Sequence, residues 1–366
     1  MIPSARESEI LRLIRRHGPL SRRQLHGFMR LRPNTVGELV ARMIGQGLVR
    51  ESGERSLGPG RPHRLVEIDG QRREVIGLAL EAGRVSACRL SLVGRRIDGC
   101  RQQATRSSRE LIAAACTFLK TYKSPHTLAI GLSATGFVDP LVGSILTSSA
   151  TFRQSQTSLG AIYELSGDCP VLLENDMHAQ AACWRMGQDT ERDEDVLLVL
   201  LDDGAIGAAL LIAGEPNRGC VTGGNELGHM RLPVETDRCY CGQTGCLERI
   251  CSTKFLRKLD GGSRATLAGR LARFNPQDAP AVQIVHYLAT GLANAINFIR
   301  PNRVVLTGRL SLFPAFVNHL LGCVRELVLV PLTDRVQMDV WQHPHSGPAE
   351  VAAWLALAAI YSVRGK

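Results

Sequence analysis

The chain has 366 residues, 44% hydrophobic and 21% charged: enough apolar material for two or three domains with cores, and too little charge for a disordered protein. Lys and Arg number 44 against 34 Asp and Glu, and the formal net charge of +10 suggests a polyanionic partner. No apolar run approaches the ~20 residues of a bilayer span, MIPSARESEI carries no apolar signal core, and the 11 Cys are scattered apart from one cluster. That pattern excludes a disulfide framework and points to a cytoplasmic protein without membrane insertion.

Charge is concentrated at one end. Residues 1–70 hold thirteen Arg, no Lys and seven acids, so more than half of the surplus sits in a fifth of the chain. Within this head, Ser4-Ala-Arg-Glu7, Ser21-Arg-Arg-Gln24 and Thr35-Val-Gly-Glu38 read as capping boxes, each opening a helix. Apolar residues follow at helical spacing: Ile10, Leu11 and Ile14; then Leu25, Phe28 and Met29; then Val36, Leu39, Val40 and Met43. His17-Gly18-Pro19 ends the first helix and Gly45-Gln-Gly47 the third.

Leu48–Ser52 and His63–Ile68 then read as a hairpin with a Gly- and Arg-rich tip. Three short helices and a basic wing make a winged helix-turn-helix over residues 1–70, whose partner is operator DNA. The third helix is the expected major-groove reader through Arg32, Asn34, Thr35 and Glu38, with Arg22 and Arg42 beside it. Arg42 and Arg15 are expected at phosphates, and Arg61 in a minor groove. The competing reading is a small helical domain with an Arg-rich face for protein contacts.

The next chemical feature is GGNELGHMRLPVETDRCYCGQTGCLERICST from Gly223. His229, Cys239, Cys241 and Cys246 offer one imidazole and three thiolates, a closed donor set for structural Zn²⁺. Cys-x-Cys is not the Cys-x-x-Cys of thiol exchange, and the remaining Cys read as packing residues.

Glu226-Leu-Gly-His229 followed by Cys-x-Cys-Gly-x-x-Gly-Cys-Leu-Glu248 resembles the signature of the ROK family (repressors, open reading frames and sugar kinases). Val75–Arg95, Gly131–Ile145, LENDMHAQA, RPNRVVLTGRL and GPAEVAAWLALAAI resemble other parts of that fold in order, and the head matches its repressor branch. The resemblance implies an α/β, actin-like (ribonuclease H-like) two-lobed sugar-kinase fold over residues 71–366. Lobe one would cover about 71–185 plus a C-terminal helix at 348–366, and lobe two about 186–347, including the zinc loop 226–248. It also implies an interlobe sugar site in which Asn175, Asp176, Glu226, His229 and Glu248 meet hydroxyls, His229 touching sugar and zinc both.

Sugar kinases of the family need three phosphate loops, and all three depart from pattern here. Ala79-Leu-Glu81-Ala-Gly83 stands for Asp-x-Gly-Gly-Thr, Asp203-Gly-Ala-Ile-Gly207-Ala-Ala for the second Gly-rich loop, and Thr307-Gly308-Arg309 for the late Gly-Gly-Gly. Acids here repel phosphate. Asp176 holds the family's general-base position without a phosphoryl donor, so no catalytic residue is expected. The expectation is a transcriptional regulator, a repressor, that answers to a sugar or sugar phosphate as a homodimer or homotetramer. The alternatives are an active ATP-dependent sugar kinase with an appended DNA domain, or a regulator controlled by a protein partner.

Overall fold

The computed structural model describes residues 2–55, 63–147, 155–188, 194–219, 222–342 and 347–362. Two compact units emerge, one made of Met1–Asp189 and Gly347–Lys366, the other of Thr190–Ser346.

The first unit opens with α1 (Ala5–His17), β1 (Leu20–Ser21), α2 (Arg22–Met29), α3 (Pro33–Gly45), β2 (Val49–Arg55) and β3 (His63–Ile68). Ile10, Leu11, Ile14, Leu25, Val36, Leu39, Val40 and Met43 are buried, as their helical spacing predicts. Two capping boxes form. Glu7 Oε2 accepts from the Ser4 amide and hydroxyl, each at 2.8 Å, and Gln24 Oε1 accepts from the Ser21 amide at 2.9 Å. The third does not: α3 starts three residues earlier, at Pro33, and its N-cap is Arg32 in place of Thr35, with no side-chain cap bond. Proline's fixed φ preorganises the first helical position, so Thr35 lies inside the first turn. Phe28 also departs from expectation; it is 49% exposed and stacks on His17 with ring centroids 4.8 Å apart. The wing carries an unforeseen third strand, in the order β1-β3-β2, with Leu20 opposite Val66.

The rest of this unit runs β4 (Glu74–Glu81), β5 (Arg84–Ser91), β6 (Arg101–Ala104), α4 (Ser108–Tyr122), β7 (Thr127–Ala134), β8 (Phe137–Asp139), β9 (Ser144–Thr147), β10 (Ser155–Ser158), α5 (Gly160–Ser166), β11 (Val171–Asn175) and α6 (Asp176–Met186). Its main sheet has the order β11-β7-β4-β5-β6; β4, β5 and β6 pair antiparallel, while β7 and β11 join parallel. A small sheet, β10-β9-β8, stands apart. Ile76, Leu78 and Leu80 of β4 pack with Leu111, Ala115 and Leu119 of α4.

The second unit comprises β12 (Val196–Asp202), β13 (Ala205–Ile212), β14 (Glu215–Pro216), α7 (Leu247–Ile250), α8 (Thr253–Leu259), α9 (Leu267–Leu271), α10 (Ala279–Ile299), β15 (Arg303–Thr307), α11 (Pro314–Leu327), α12 (Val330–Thr333) and β16 (Gln337–Val340). Its sheet, β14-β13-β12-β15-β16, repeats the plan of the first, with antiparallel β12-β13 and β13-β14 and parallel β12-β15 and β15-β16. This duplicated α/β topology is the actin-like fold. The expectation about membrane spans needs one amendment: α10, at 21 residues, is long and apolar enough to cross a bilayer. Its Ile284, Leu288, Leu292 and Ile296 lie in the unit's core with Leu306, Phe316 and Leu320, which accounts for the apolar composition.

The chain then returns to the first unit as α13 (Pro348–Tyr361). This helix lies on the sheet face opposite α4, and two glycines admit it. A Cβ on Gly77 would sit 1.9 Å from the Ala349 carbonyl oxygen, and one on Gly131 1.7 Å from that of Ala352. Helix α13 also seats the head. The Ser8 hydroxyl donates to the Ile360 carbonyl at 2.7 Å, and Arg15 donates to the Met186 carbonyl at 2.9 Å. The Arg15 guanidinium lies 5.1 Å from the Trp354 ring centre and 5.3 Å from that of Tyr361. Arg15 is therefore a docking residue between helices, not the phosphate contact its sequence neighbourhood suggested.

Candidate functional site

Local backbone geometry sets the cysteine loop. Glu226 adopts the left-handed conformation (φ 37°) before a short 3₁₀ turn, Leu227–His229. Gly228 allows that turn, since a Cβ there would stand 2.3 Å from the Ile206 carbonyl oxygen. Gly245 has φ +78° and lies equally close to the Leu232 carbonyl oxygen, so Cys246 can return beside Arg231. Among the described residues, His229, Cys239, Cys241 and Cys246 form a group whose ligand atoms all lie within 4.8 Å of one another. The Cys239 Sγ to His229 Nδ1 and Cys241 Sγ to Cys246 Sγ distances are both 3.6 Å. Zinc bonds of about 2.3 Å to sulfur and about 2.0 Å to nitrogen give a tetrahedron with edges of about 3.5–3.8 Å. The donor set fits a four-coordinate metal in both type and spacing.

Three of the expected sugar contacts surround this cluster. His229 turns Nδ1 to Cys239 and Nε2 to Glu226 Oε2, 3.5 Å away. A metal on Nδ1 fixes the proton on Nε2, where it serves Glu226 or a ligand hydroxyl. Glu248, 2% exposed, accepts at Oε1 from the Cys239 thiol at 3.1 Å and at Oε2 from the Tyr240 hydroxyl at 3.0 Å. Tyr240 is the residue missed at sequence level. It stands edge-on to the His229 ring at 5.1 Å and its hydroxyl holds Glu248. Its place as the variable residue of Cys-x-Cys gave no signal.

Asn175 and Asp176 lie in the other unit, at the junction of β11 and α6. The Asn175 side chain caps α6, accepting from Met177 N at 2.8 Å and donating to the Gly136 carbonyl at 2.8 Å. At 2% exposure it is a structural cap with one amide hydrogen to spare. Asp176 accepts from Met177 N at 3.0 Å and the Thr135 hydroxyl at 3.4 Å. Desolvation pushes its carboxyl up to about 6, and the nearby Glu81 charge adds to the effect.

At the phosphate-loop positions, acids are engaged by neighbours. Glu81 takes Arg84 in a fork, at 2.8 and 3.1 Å. Asp202 Oδ1 accepts from the Arg309 amide at 3.1 Å and its Nε at 3.0 Å. Asp203 accepts from the Thr253 amide at 2.7 Å and from the Thr253 hydroxyl. Gly308 (φ +94°) brings the late loop so near β12 that a Cβ would be 2.5 Å from the Leu201 carbonyl oxygen.

On the head, Arg32, Asn34 and Glu38 are exposed around the start of α3, and Thr35 is half-buried. Two of the expected basic contacts carry internal partners. Arg42 pairs with Glu7 at 2.8 Å, and Arg22 with Glu51 at 2.8 Å, which also takes Arg64 at 2.9 Å. Burial raises the Glu7 carboxyl, but the bonds from Ser4 and Arg42 outweigh it and hold it below the usual carboxylate range. Arg61 lies outside the described residues.

This geometry has counterparts. A putative xylose repressor of Caldicellulosiruptor sp. (strain Rt8B.4) is 25% identical over 362 residues, covering 90% of each chain. The DNA-binding transcriptional dual regulator NagC of Escherichia coli (strain K12) is 24% identical over 339 residues, covering 85% of this chain and 82% of its own. Among solved structures, a ROK family transcriptional regulator described as a homolog of the E. coli MLC protein superposes with TM-score 0.79 at 20% identity, covering 97% of this chain and 96% of its own. A ROK family glucokinase from Streptomyces griseus covers 77% of this chain and 99% of its own with TM-score 0.61 at 20% identity. Residues 85–359 match the ROK family, and the chain belongs to it.

Proposed function

We propose that this protein is a sequence-specific DNA-binding transcriptional regulator, a repressor, whose operator affinity is set by a sugar or sugar phosphate, and that it transfers no phosphate. One observation carries the reading: Glu81 in the first phosphate loop is held by Arg84, Asp202 and Asp203 at the second are held by Thr253 and by Arg309 of the third, and an exposed α3 start is presented by the same chain. A triphosphate entering there would break these bonds and meet carboxylates in a low dielectric. The relatives, one named a putative xylose repressor and one a DNA-binding transcriptional dual regulator, support the same reading.

In this reading Arg32, Asn34, Thr35 and Glu38 meet base edges; Arg22, Arg42 and Arg61 approach the DNA around them. Sugar hydroxyls pair with Asn175, Asp176, Glu226, His229 and Glu248. His229, Cys239, Cys241 and Cys246 would hold a structural Zn²⁺; Cys239 would then be a thiolate, its proton lost to solvent, and Glu248 Oε1 would be freed of its thiol donor. Regulation requires the sugar to bind two conformations unequally, typically by a factor of about 5–150. The reader acts as a homodimer or homotetramer in the compartment that holds its DNA, because paired half-sites demand paired reading helices.

A kinase reading has one observation in its favour: Asp176, raised to about 6, is poised as a general base near neutral pH. Thermal-shift screening against hexoses, pentoses, amino sugars and their phosphates, with and without ATP-Mg²⁺, separates the two. The repressor reading expects a shift with a sugar, none with ATP, and operator affinity that changes with that sugar. Sugar-dependent ATP turnover establishes the kinase. No shift with any sugar favours control by a protein partner.

A further inference from the structure

Cys88 and Cys100 play no part in the proposed DNA, sugar or metal sites. Their placement is set by the register of β5 and β6. Arg84 faces Ala104, Val85 faces Gln103, Ser86 faces Gln102 and Ala87 faces Arg101; the next pair in this register is Cys88 and Cys100. The Thr105 amide bonds the Gly83 carbonyl at 2.8 Å, which makes that pair a hydrogen-bonded one. Alternation along the ladder then puts Cys88 and Cys100 at a non-hydrogen-bonded position, where Cα atoms approach to about 4.5 Å. That separation lies at the lower end of the range a disulfide spans.

The two members differ in access. Cys88, in β5 opposite Gly77 of β4, is fully buried on the side facing α13. Cys100, just before β6, is exposed. Behind it the pairing with β5 shifts, since Leu90 pairs with Arg96 and Ile97 donates to the Arg89 carbonyl at 3.1 Å, out of step with the Ala87–Arg101 pair. The irregular Asp98-Gly99 segment thus leaves Cys100 in solvent without a strand neighbour outside it. The Arg96 guanidinium, paired with Glu350 of α13, adds positive charge near both thiols, and Asp98 and Glu350 add negative charge.

We propose that Cys88 and Cys100 form a redox-active dithiol that closes to a disulfide when a two-electron oxidant of the peroxide class reaches Cys100. In the first step the Cys100 thiolate attacks a peroxide oxygen; the O–O bond breaks, one water leaves with a proton taken from solvent, and Cys100 becomes a sulfenic acid. In the second, Cys88 Sγ attacks the sulfenic sulfur. The S–O bond breaks, and the hydroxide leaves as a second water with the Cys88 proton. Two thiols and one hydrogen peroxide give one disulfide and two waters.

The electrostatics suit these roles. A side-chain hydrogen bond from Cys88 is the largest influence on Cys100 and, with the Arg96 charge, outweighs burial to bring it down to about 7. The same bond, with burial, keeps Cys88 protonated. The exposed member is the attacking thiolate and the buried one the resolving thiol.

The test uses the full-length, metal-loaded protein. Hydrogen peroxide treatment, N-ethylmaleimide quenching and peptide mass spectrometry should find Cys88 linked to Cys100 and reopened by dithiothreitol. In Cys88→Ala, a sulfenic-acid probe should label Cys100 instead. Because replacing buried Cys88 can perturb folding, iodoacetamide labelling of the unaltered protein is the second measurement, with Cys100 alkylation expected to reach half-maximum near pH 7. Cys100 oxidised to sulfinic acid while Cys88 stays alkylatable after denaturation would overturn the proposal. So would a labelling midpoint at an ordinary thiol value.

Discussion

Gly77 and Gly131 matter for what they lack. Both let the α13 backbone reach the sheet, and a methyl on Gly131 would fall 1.7 Å from the Ala352 carbonyl oxygen. Overpacking of this kind costs about 1–3 kcal/mol, so Gly131→Ala should lower the denaturation midpoint; an unchanged midpoint contradicts the close packing. Asp176 carries a different strain. Its carboxyl is raised from 3.8 to about 6, so the fold favours the protonated form. The corresponding stability is fully present below 3.8 and is lost as pH rises through about 6. Asp176→Asn should therefore be more stable than the parent above that window and lose its advantage below it, as denaturation midpoints across the range would reveal. Retention of a destabilising carboxylate fits a residue kept for binding. Residue identities such as the Cys/His set were legible because few donors and short spacing define a metal group. The Tyr240 hydroxyl on Glu248 was not legible, because it depends on how Gly242 and Gly245 turn the loop.

At the scale of elements, the loop from Glu226 to Glu248 holds little regular structure beyond a 3₁₀ turn and the start of α7. It is held by a few backbone bonds, such as Leu232 N to the Gly245 carbonyl at 2.9 Å, and the proposed metal would tie together four of its side chains. Chelation of the metal, or Cys241→Ser, should lower the thermal midpoint and weaken sugar binding together; full sugar affinity without metal would separate the two. The late loop makes a second case. Replacing Arg309 by Ala should leave sugar affinity in place and confer no ATP binding, since Asp202 and Asp203 remain. Calorimetry with ATP-Mg²⁺ checks this. Strong local signals predicted elements well: the boxes at Ser4 and Ser21 form. Where signals competed, the stiffer one won, and Pro33 starts α3 ahead of Thr35. Strand β1, two residues long, has no periodicity to read and exists only through its pairing with β3.

Across the whole molecule, the head is built on the first unit. Ser8 and Arg15 of α1 reach Ile360, Met186, Trp354 and Tyr361, residues far away in sequence. No pattern within residues 1–70 carries that information, so the sequence alone points Arg15 toward DNA. Arg15→Ala should lower stability by about 1–3 kcal/mol, the sum of a lost hydrogen bond and cation–π contact. Hydrogen exchange of α1 amides should also run faster in an isolated 1–70 fragment than in the full chain; equal protection would mean the head stands alone. The duplicated sheet order, by contrast, was reachable from sequence only through family resemblance, since strand pairing over such separations leaves no local trace.

The split make-up of the first unit also bears on synthesis. The ribosome delivers α1, β4 and β7 early, then every residue of the second unit, and only afterwards the α13 helix that fills the Gly77–Gly131 face. Until that moment a nascent chain holds an open sheet face and an α1 helix without its seat. The head therefore gains its mount only after the whole second unit has been made.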